Sequence, residues 1–165
     1  MTPLRRLPAV VIALFIVVGG FAPSPARSAD YLKGLSAYKK GEYGAAMNEW
    51  RPLAEQGNAF AQHNLGWFHE KGLGVPKDDK MAVKWYTRAA EQGNAPAQNN
   101  LGAMYFRGAG ALQDYVLAHK WWNLSASVGN DLARQNREKL AQSMTAAQIA
   151  EAQGLARAWL EEHGQ

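Results

Sequence analysis

From residue 59 onward, apolar and small side chains recur at helical spacing. Ala61, Leu65, Phe68, His69 and Gly72 fall on one face at 100 degrees per residue, and 36 residues later Ala97, Leu101, Met104, Tyr105 and Gly108 do the same. Each stripe predicts a helix. A second stripe follows in each unit: Ala82, Tyr86, Ala89 and Ala90 point inward with Trp85 at the edge, matched by Ala118, Trp122, Ser125 and Ala126. Small residues beside aromatics are how close helix pairs fill space, so these tryptophans and tyrosines read as core. Gly66 and Gly102 lie beside the first stripe, where a missing side chain lets a neighbouring helix approach despite a propensity cost of about 1 kcal/mol.

The junctions repeat as well. Gly57-Asn58, Gly93-Asn94 and Gly129-Asn130 each join the end of one predicted helix to the start of the next, glycine closing the first and asparagine capping the second. Within each unit, Gly72-Leu73-Gly74 and Gly108-Ala109-Gly110 open loops that end on the predicted caps Asp78 and Asp114. These glycines recur at the repeat period and lack the arrangements of a phosphate-binding loop, so they read as structural. A 36-residue period of this kind marks a stacked repeat array.

The pattern A-x-A-x-x-x-L-G-x-x-[Y/H]-x-x-G-x-G, followed by D-x-x-x-A-x-x-W-x-x-x-x-A-x-x-G, resembles the Sel1-like repeat, a relative of the tetratricopeptide repeat. The resemblance covers full units at 59–94 and 95–130, a shortened first unit at 30–58 and a partial unit followed by a capping helix at 131–165. It implies an all-α fold, a right-handed α-α superhelical solenoid of helix pairs, and a role in binding other proteins. In the first unit Tyr38, Gly41, Ala46, Trp50 and Gly57 are kept, the internal loop reads as five residues shorter, and Gly34-Leu35 reverses the Leu-Gly order. In the last, Arg137 stands where Leu65 and Leu101 stand earlier. Such irregular units suit solenoid ends. Thr145 and Gln148 form a capping box that opens a terminal helix to about Glu162, with Ile149, Ala152, Ala156, Trp159 and Leu160 as its apolar stripe. This helix is expected to close the last hydrophobic edge; the alternative is a docking or dimerisation helix.

Residues 1–29 read as an export signal. Arg5 and Arg6 precede the apolar run Ala9 to Val18, and small residues from Ser24 to Ala29 offer cleavage positions. The apolar run is half of the ~20 residues a membrane-spanning helix needs. Cleavage would remove Arg5, Arg6 and Arg27 and no acid, taking the formal charge from +4 to +1, so the basic balance belongs to the signal and no nucleic-acid stripe remains. Zero cysteines exclude disulfides, thiol catalysis, Cys-type zinc sites and a lipidated cysteine. The expected location is therefore periplasmic or secreted, with no stable membrane insertion.

Candidate chemistry is sparse. Ser36-Ala37-Tyr38-Lys39 matches S-x-x-K, but the partner motifs S-D-N and K-T-G are absent. His63, His69, His119 and His163 lack metal-ligand spacing, and His69 reads as a hydrogen-bonded packing residue at the Tyr105 position. No cofactor or metal is expected, and no catalysis. The resemblance puts the first helix of each pair on the concave surface. By helical angle the residues opposite the core stripe are then His63, Trp67 and Glu70 in the second unit and Asn99, Ala103 and Phe106 in the third, a groove for a protein or peptide partner. Trp67 and Phe106 are its expected anchors; the competing reading packs both against neighbouring helices. Other functions in view are binding of an envelope polymer such as peptidoglycan and self-association through the solenoid ends.

Overall fold

The computed structural model describes the backbone of residues 25–164 and the side chains of residues 30–164. The expected signal segment lies almost wholly outside the described residues. Among those described the chain is helical throughout: α1 (Pro25–Lys39), α2 (Tyr43–Glu55), α3 (Ala59–Lys71), α4 (Asp79–Ala90), α5 (Ala95–Arg107), α6 (Tyr115–Ser127), α7 (Asp131–Ala141) and α8 (Ala146–Glu162). Helices α1 to α7 each pack on their neighbours in sequence, and α8 passes over α7 to pack on α6. This is a superhelical stack of helix pairs, with α8 closing one end.

Local chemistry sets the helix boundaries. The side chains of Asn58, Asn94 and Asn130 accept from the backbone N–H groups of Ala61, Ala97 and Ala133 at 2.9, 2.9 and 3.1 Å, while Asp78 and Asp114 do the same for Met81 and Leu117 at 2.9 and 2.8 Å. Gly57, Gly93 and Gly129 sit before the asparagine caps at φ of 95, 78 and 92°, a left-handed conformation that turns the chain between antiparallel helices. At the start of α8, Thr145 and Gln148 complete the capping box.

Within each pair one glycine of the first helix meets one aromatic ring of the second. A Cβ added to Gly66 would lie 2.6 Å from the Tyr86 ring, and one on Gly102 2.8 Å from Trp122. In the first pair the same contact is made by Gly34 and Trp50. The indoles also make one equivalent bond: Trp50 Nε1 donates to the Tyr31 carbonyl at 3.1 Å and Trp122 Nε1 to the Asn99 carbonyl at 3.0 Å. These contacts correct two sequence expectations. Gly34 is the counterpart of Gly66, so no Leu-Gly reversal exists, and the loop between α1 and α2 is four residues shorter than that between α3 and α4, not five. The loop length hid this register, because only the ring contact reports which glycine faces the second helix.

Between pairs, buried amides hold the stack. Gln62 Nε2 donates to the Ala54 carbonyl at 2.9 Å, and Gln98, one period later, to Ala90 at 3.2 Å, each adding a second bond to a carbonyl in the last turn of the preceding helix. The core is a chain of three clusters, the first built on Trp50, Leu65 and Phe68, the second on Tyr86, Leu101 and Trp121, the third on Trp122, Ala133 and Leu140. Ala156 and Trp159 bring α8 into the second cluster, and Trp159 Nε1 donates to Glu91 Oε2 at 2.7 Å. The terminal helix is thus part of the core, as its stripe predicts.

The glycine contact carries a stability prediction. Gly66→Ala or Gly102→Ala should lower unfolding stability by about 1–3 kcal/mol through overpacking, whereas Gly154→Ala in α8, where nothing lies within 4 Å of the new methyl group, should raise it by up to about 1 kcal/mol. Urea denaturation midpoints of the three variants test the contrast.

Candidate groove on the face of the odd-numbered helices

The odd-numbered helices share one face and are cross-linked along it. The register set by Gly34 aligns Tyr31, Leu35 and Tyr38 of α1 with His63, Trp67 and Glu70 of α3, and these in turn with Asn99, Ala103 and Phe106 of α5. Between α1 and α3 the face opens into a cavity of about 320 Å³. Tyr31, Leu35 and Tyr38 form one wall, His63, Asn64 and Trp67 the other, and Trp50, Phe68 and Asn100 complete the lining. Trp67 is half-buried, its ring edge-on to Tyr38 with centroids 5.7 Å apart, so it packs and lines the cavity at once.

A run of polar side chains crosses the same face. Asn64 Nδ2 donates to the Tyr31 hydroxyl at 3.2 Å, and Asn64 Oδ1 lies 3.3 Å from His63 Nδ1. His63 Nε2 lies 3.2 Å from Asn100 Nδ2; Asn99 Nδ2 donates to Asn100 Oδ1 at 3.4 Å, and Asn136 Nδ2 to Asn99 Oδ1 at 3.5 Å. In this arrangement Asn64 Oδ1 is placed to accept from His63 Nδ1, and Asn100 Nδ2 to donate to His63 Nε2. Burial holds the His63 pKa below the usual histidine value, against the raising effects of Asn64 and Glu70.

The other sequence-selected residues fall in different places. Glu70 Oε1 accepts from Lys71 at 3.0 Å and from Arg107 at 3.2 Å, while Oε2 accepts from the Tyr86 hydroxyl at 2.8 Å. Burial alone would raise the Glu70 carboxyl, but these donors outweigh it and hold it below the ordinary value. Burial first, then the Glu70 charge, push Tyr86 upward. Asn99 is buried within the amide run. Ala103 packs in the third core cluster. Phe106 lies outside the cavity, 40% exposed, with its ring against Tyr115 and Trp122 at 5.6 and 5.7 Å.

Sequence reasoning missed Tyr31, Leu35 and Tyr38 because the shortened loop shifted their register. It also missed the row Asn64, Asn100 and Asn136, although identity at the 36-residue period marks it. His69 requires a correction: its Nδ1 is buried with no hydrogen-bond partner among the described residues. His119 Nδ1 is likewise buried and unpaired. The S-x-x-K match lies on α1 with both Ser36 and Lys39 exposed.

Comparison with known proteins agrees with this architecture. The Sel1 repeat model matches residues 59–94 and 95–130. The chain carries two Sel1 repeats. Among solved structures, it is similar to a protective antigen present in uropathogenic Escherichia coli strains that displays an SLR fold, with 32% identity and a TM-score of 0.79 over 83% of this chain and 30% of that one. It is also similar to a Sel1 repeat protein from Oxalobacter formigenes, with 35% identity and a TM-score of 0.67 over 79% of this chain and 55% of that one. The chain spans about a third to a half of the length of these relatives. No curated protein matches it at the level of sequence. Sel1-repeat folds are in general protein-interaction scaffolds. No helix of the described residues is long and apolar enough to cross a membrane.

The histidines predict a pH dependence of stability. Burial is the leading cause of the lowered pKa of His63, His69 and His119, so at mildly acidic pH the unfolded chain binds more protons than the folded one. Their contribution is complete above the ordinary value of 6.5 and is lost as pH falls through the depressed folded values. The thermal midpoint should therefore fall between pH 7 and pH 5, and His69→Tyr, which installs the residue of the next repeat, should reduce the slope.

Proposed function

We propose that this protein is a non-catalytic scaffold that holds a protein or peptide partner in the groove between α1 and α3, acting in the periplasm or outside the cell after removal of an export signal. The observation that carries the reading is the cavity of about 320 Å³ whose walls are aromatic and whose rim is a row of amides. Aromatic anchors with a polar rim are the usual anatomy of a binding hot spot. Export rests on the pattern of Arg5, Arg6, the apolar run and the small residues that follow. Cleavage after Ala29 would leave α1 starting at Asp30, with Tyr31, Leu35 and Tyr38 retained.

In-cell crosslinking of the envelope fraction tests this reading. Trp67→Ala should abolish capture of the partner, whereas Phe106→Ala, outside the cavity, should leave it unchanged; both variants must keep native helical circular dichroism. Equal capture by native and Trp67→Ala chains moves the contact away from the groove. Absence of any crosslinked protein, with cosedimentation on purified cell wall, favours an envelope polymer instead. The captured form should begin just after Ala26, Ser28 or Ala29 by N-terminal sequencing, and an intact N-terminus would defeat the export reading.

A further inference from the structure

Resting on the groove reading above, we propose that the cavity between α1 and α3 is also a regulatory small-molecule site. It takes a planar aromatic compound bearing a carbonyl or carboxylate, and its occupancy excludes the protein partner. Shape is the first support. A volume of about 320 Å³ stands at the small end of ligand pockets, room for one ring system and its substituent. Tyr31, Leu35 and Tyr38 of α1 form one wall, and Trp67 of α3 stands on the other. The Tyr38 and Trp67 rings meet at 74° with centroids 5.7 Å apart. A flat molecule lying on one of these rings therefore meets the other edge-on, and stacked and edge-on contacts are the two that aromatic rings prefer.

Hydrogen-bond capacity is the second support. The Tyr31 oxygen accepts from Asn64 Nδ2, which leaves the Tyr31 proton unspent, and Asn64 and Asn100 each commit one N–H of two, to Tyr31 and His63. The Tyr38 hydroxyl and the Trp67 indole N–H make no hydrogen bond to the described residues, and both side chains are half-buried. Each of these five lining residues thus keeps a donor, while the carboxamide oxygens of Asn64 and Asn100 already accept from His63 and Asn99. A bare ring satisfies none of these donors. A carbonyl or carboxylate oxygen, with two lone pairs, can take two.

Charge decides between an acceptor and a cation. No Asp, Glu, Lys or Arg lines the cavity. Glu70, one turn along α3 from Trp67, is spent on Lys71, Arg107 and Tyr86, so an amine ligand finds no counter-charge there. Lys39, which follows Tyr38 at the end of α1, is exposed and has no ion pair among the described residues. A carboxylate in the cavity is therefore not repelled, and an ammonium is not held.

Isothermal titration calorimetry on the full-length chain tests this with probes that share one ring: indole-3-carboxylate, indole-3-carboxamide, indole and tryptamine. The carboxylate and carboxamide should bind with Kd of about 0.1–1 mM, about 3- to 10-fold tighter than indole, with tryptamine weakest. Trp67→Ala should abolish binding. The Tyr38→Phe, Trp67→Phe double variant keeps both ring faces and removes two donors; it should bring the carboxylate and carboxamide down to the affinity of indole with an unchanged urea midpoint. Saturating indole-3-carboxylate should suppress crosslinking of the partner. Equal affinity for all the probes, binding that survives Trp67→Ala, or no binding at about 5 mM overturns this proposal. So does capture that is lost in Trp67→Ala but indifferent to saturating probe, an outcome that leaves the groove reading standing. Capture indifferent to Trp67→Ala overturns the groove reading, and the exclusion proposed here with it.

Discussion

The contact on which the architecture depends is that between a glycine on the first helix of each pair and an aromatic ring on the second. Gly34 meets Trp50, Gly66 meets Tyr86 and Gly102 meets Trp122. Dispersion between a flat ring and bare backbone is large only when the two surfaces touch, and a methyl group would prevent that. The approach also brings the Trp50 and Trp122 indoles within reach of first-helix carbonyls, so each buried N–H is satisfied. In the middle pair the shorter Tyr86 ring sends its hydroxyl to Glu70 instead. One substitution at the ring thus changes the chemistry of the opposite face.

From that contact the arrangement of the opposite face follows. With the ring fixing the rotation of each first helix, the residues on its far side fall into rows across α1, α3, α5 and α7. Aromatic and aliphatic side chains gather between α1 and α3, amides run across the middle, and cations stand at the helix C-termini, where the macrodipole favours them. Glu70 links the rows by joining Tyr86 of the core to Lys71 and Arg107 at the edge. The groove is therefore a by-product of core packing, held by elements that cannot rotate without losing their rings.

The ends of a repeat stack lack a neighbour on one side, and the C-terminal end shows how that is managed. Trp159 stacks on His163 with centroids 4.0 Å apart, meets Trp121 edge-on at 6.5 Å and donates to Glu91. Helix α8 thereby covers the apolar surface left between α4 and α6. On α7, Arg137 at the leucine position donates to Asn123 of α6 at 2.7 Å rather than entering the core.

Period, helix boundaries and core stripes were legible in the chain because they rest on local rules: helical spacing, asparagine and aspartate caps, and the glycine turns before them. Trp67 and His63 were legible as surface candidates by helical angle alone. The register of the first unit was not, since a deletion in a loop leaves no mark on the periodicity of either helix; only the fit of Gly34 against Trp50 determined it, and with it the cavity wall of Tyr31, Leu35 and Tyr38. Nor could sequence show that Glu70 is spent on three donors, that His69 lacks a partner or that Phe106 lies against Tyr115, because each depends on side chains from different helices meeting in space. The repeat itself was written in the sequence; which of its residues face a common groove was decided by tertiary packing, since helical angle fixes a direction from one axis and not what lies along it.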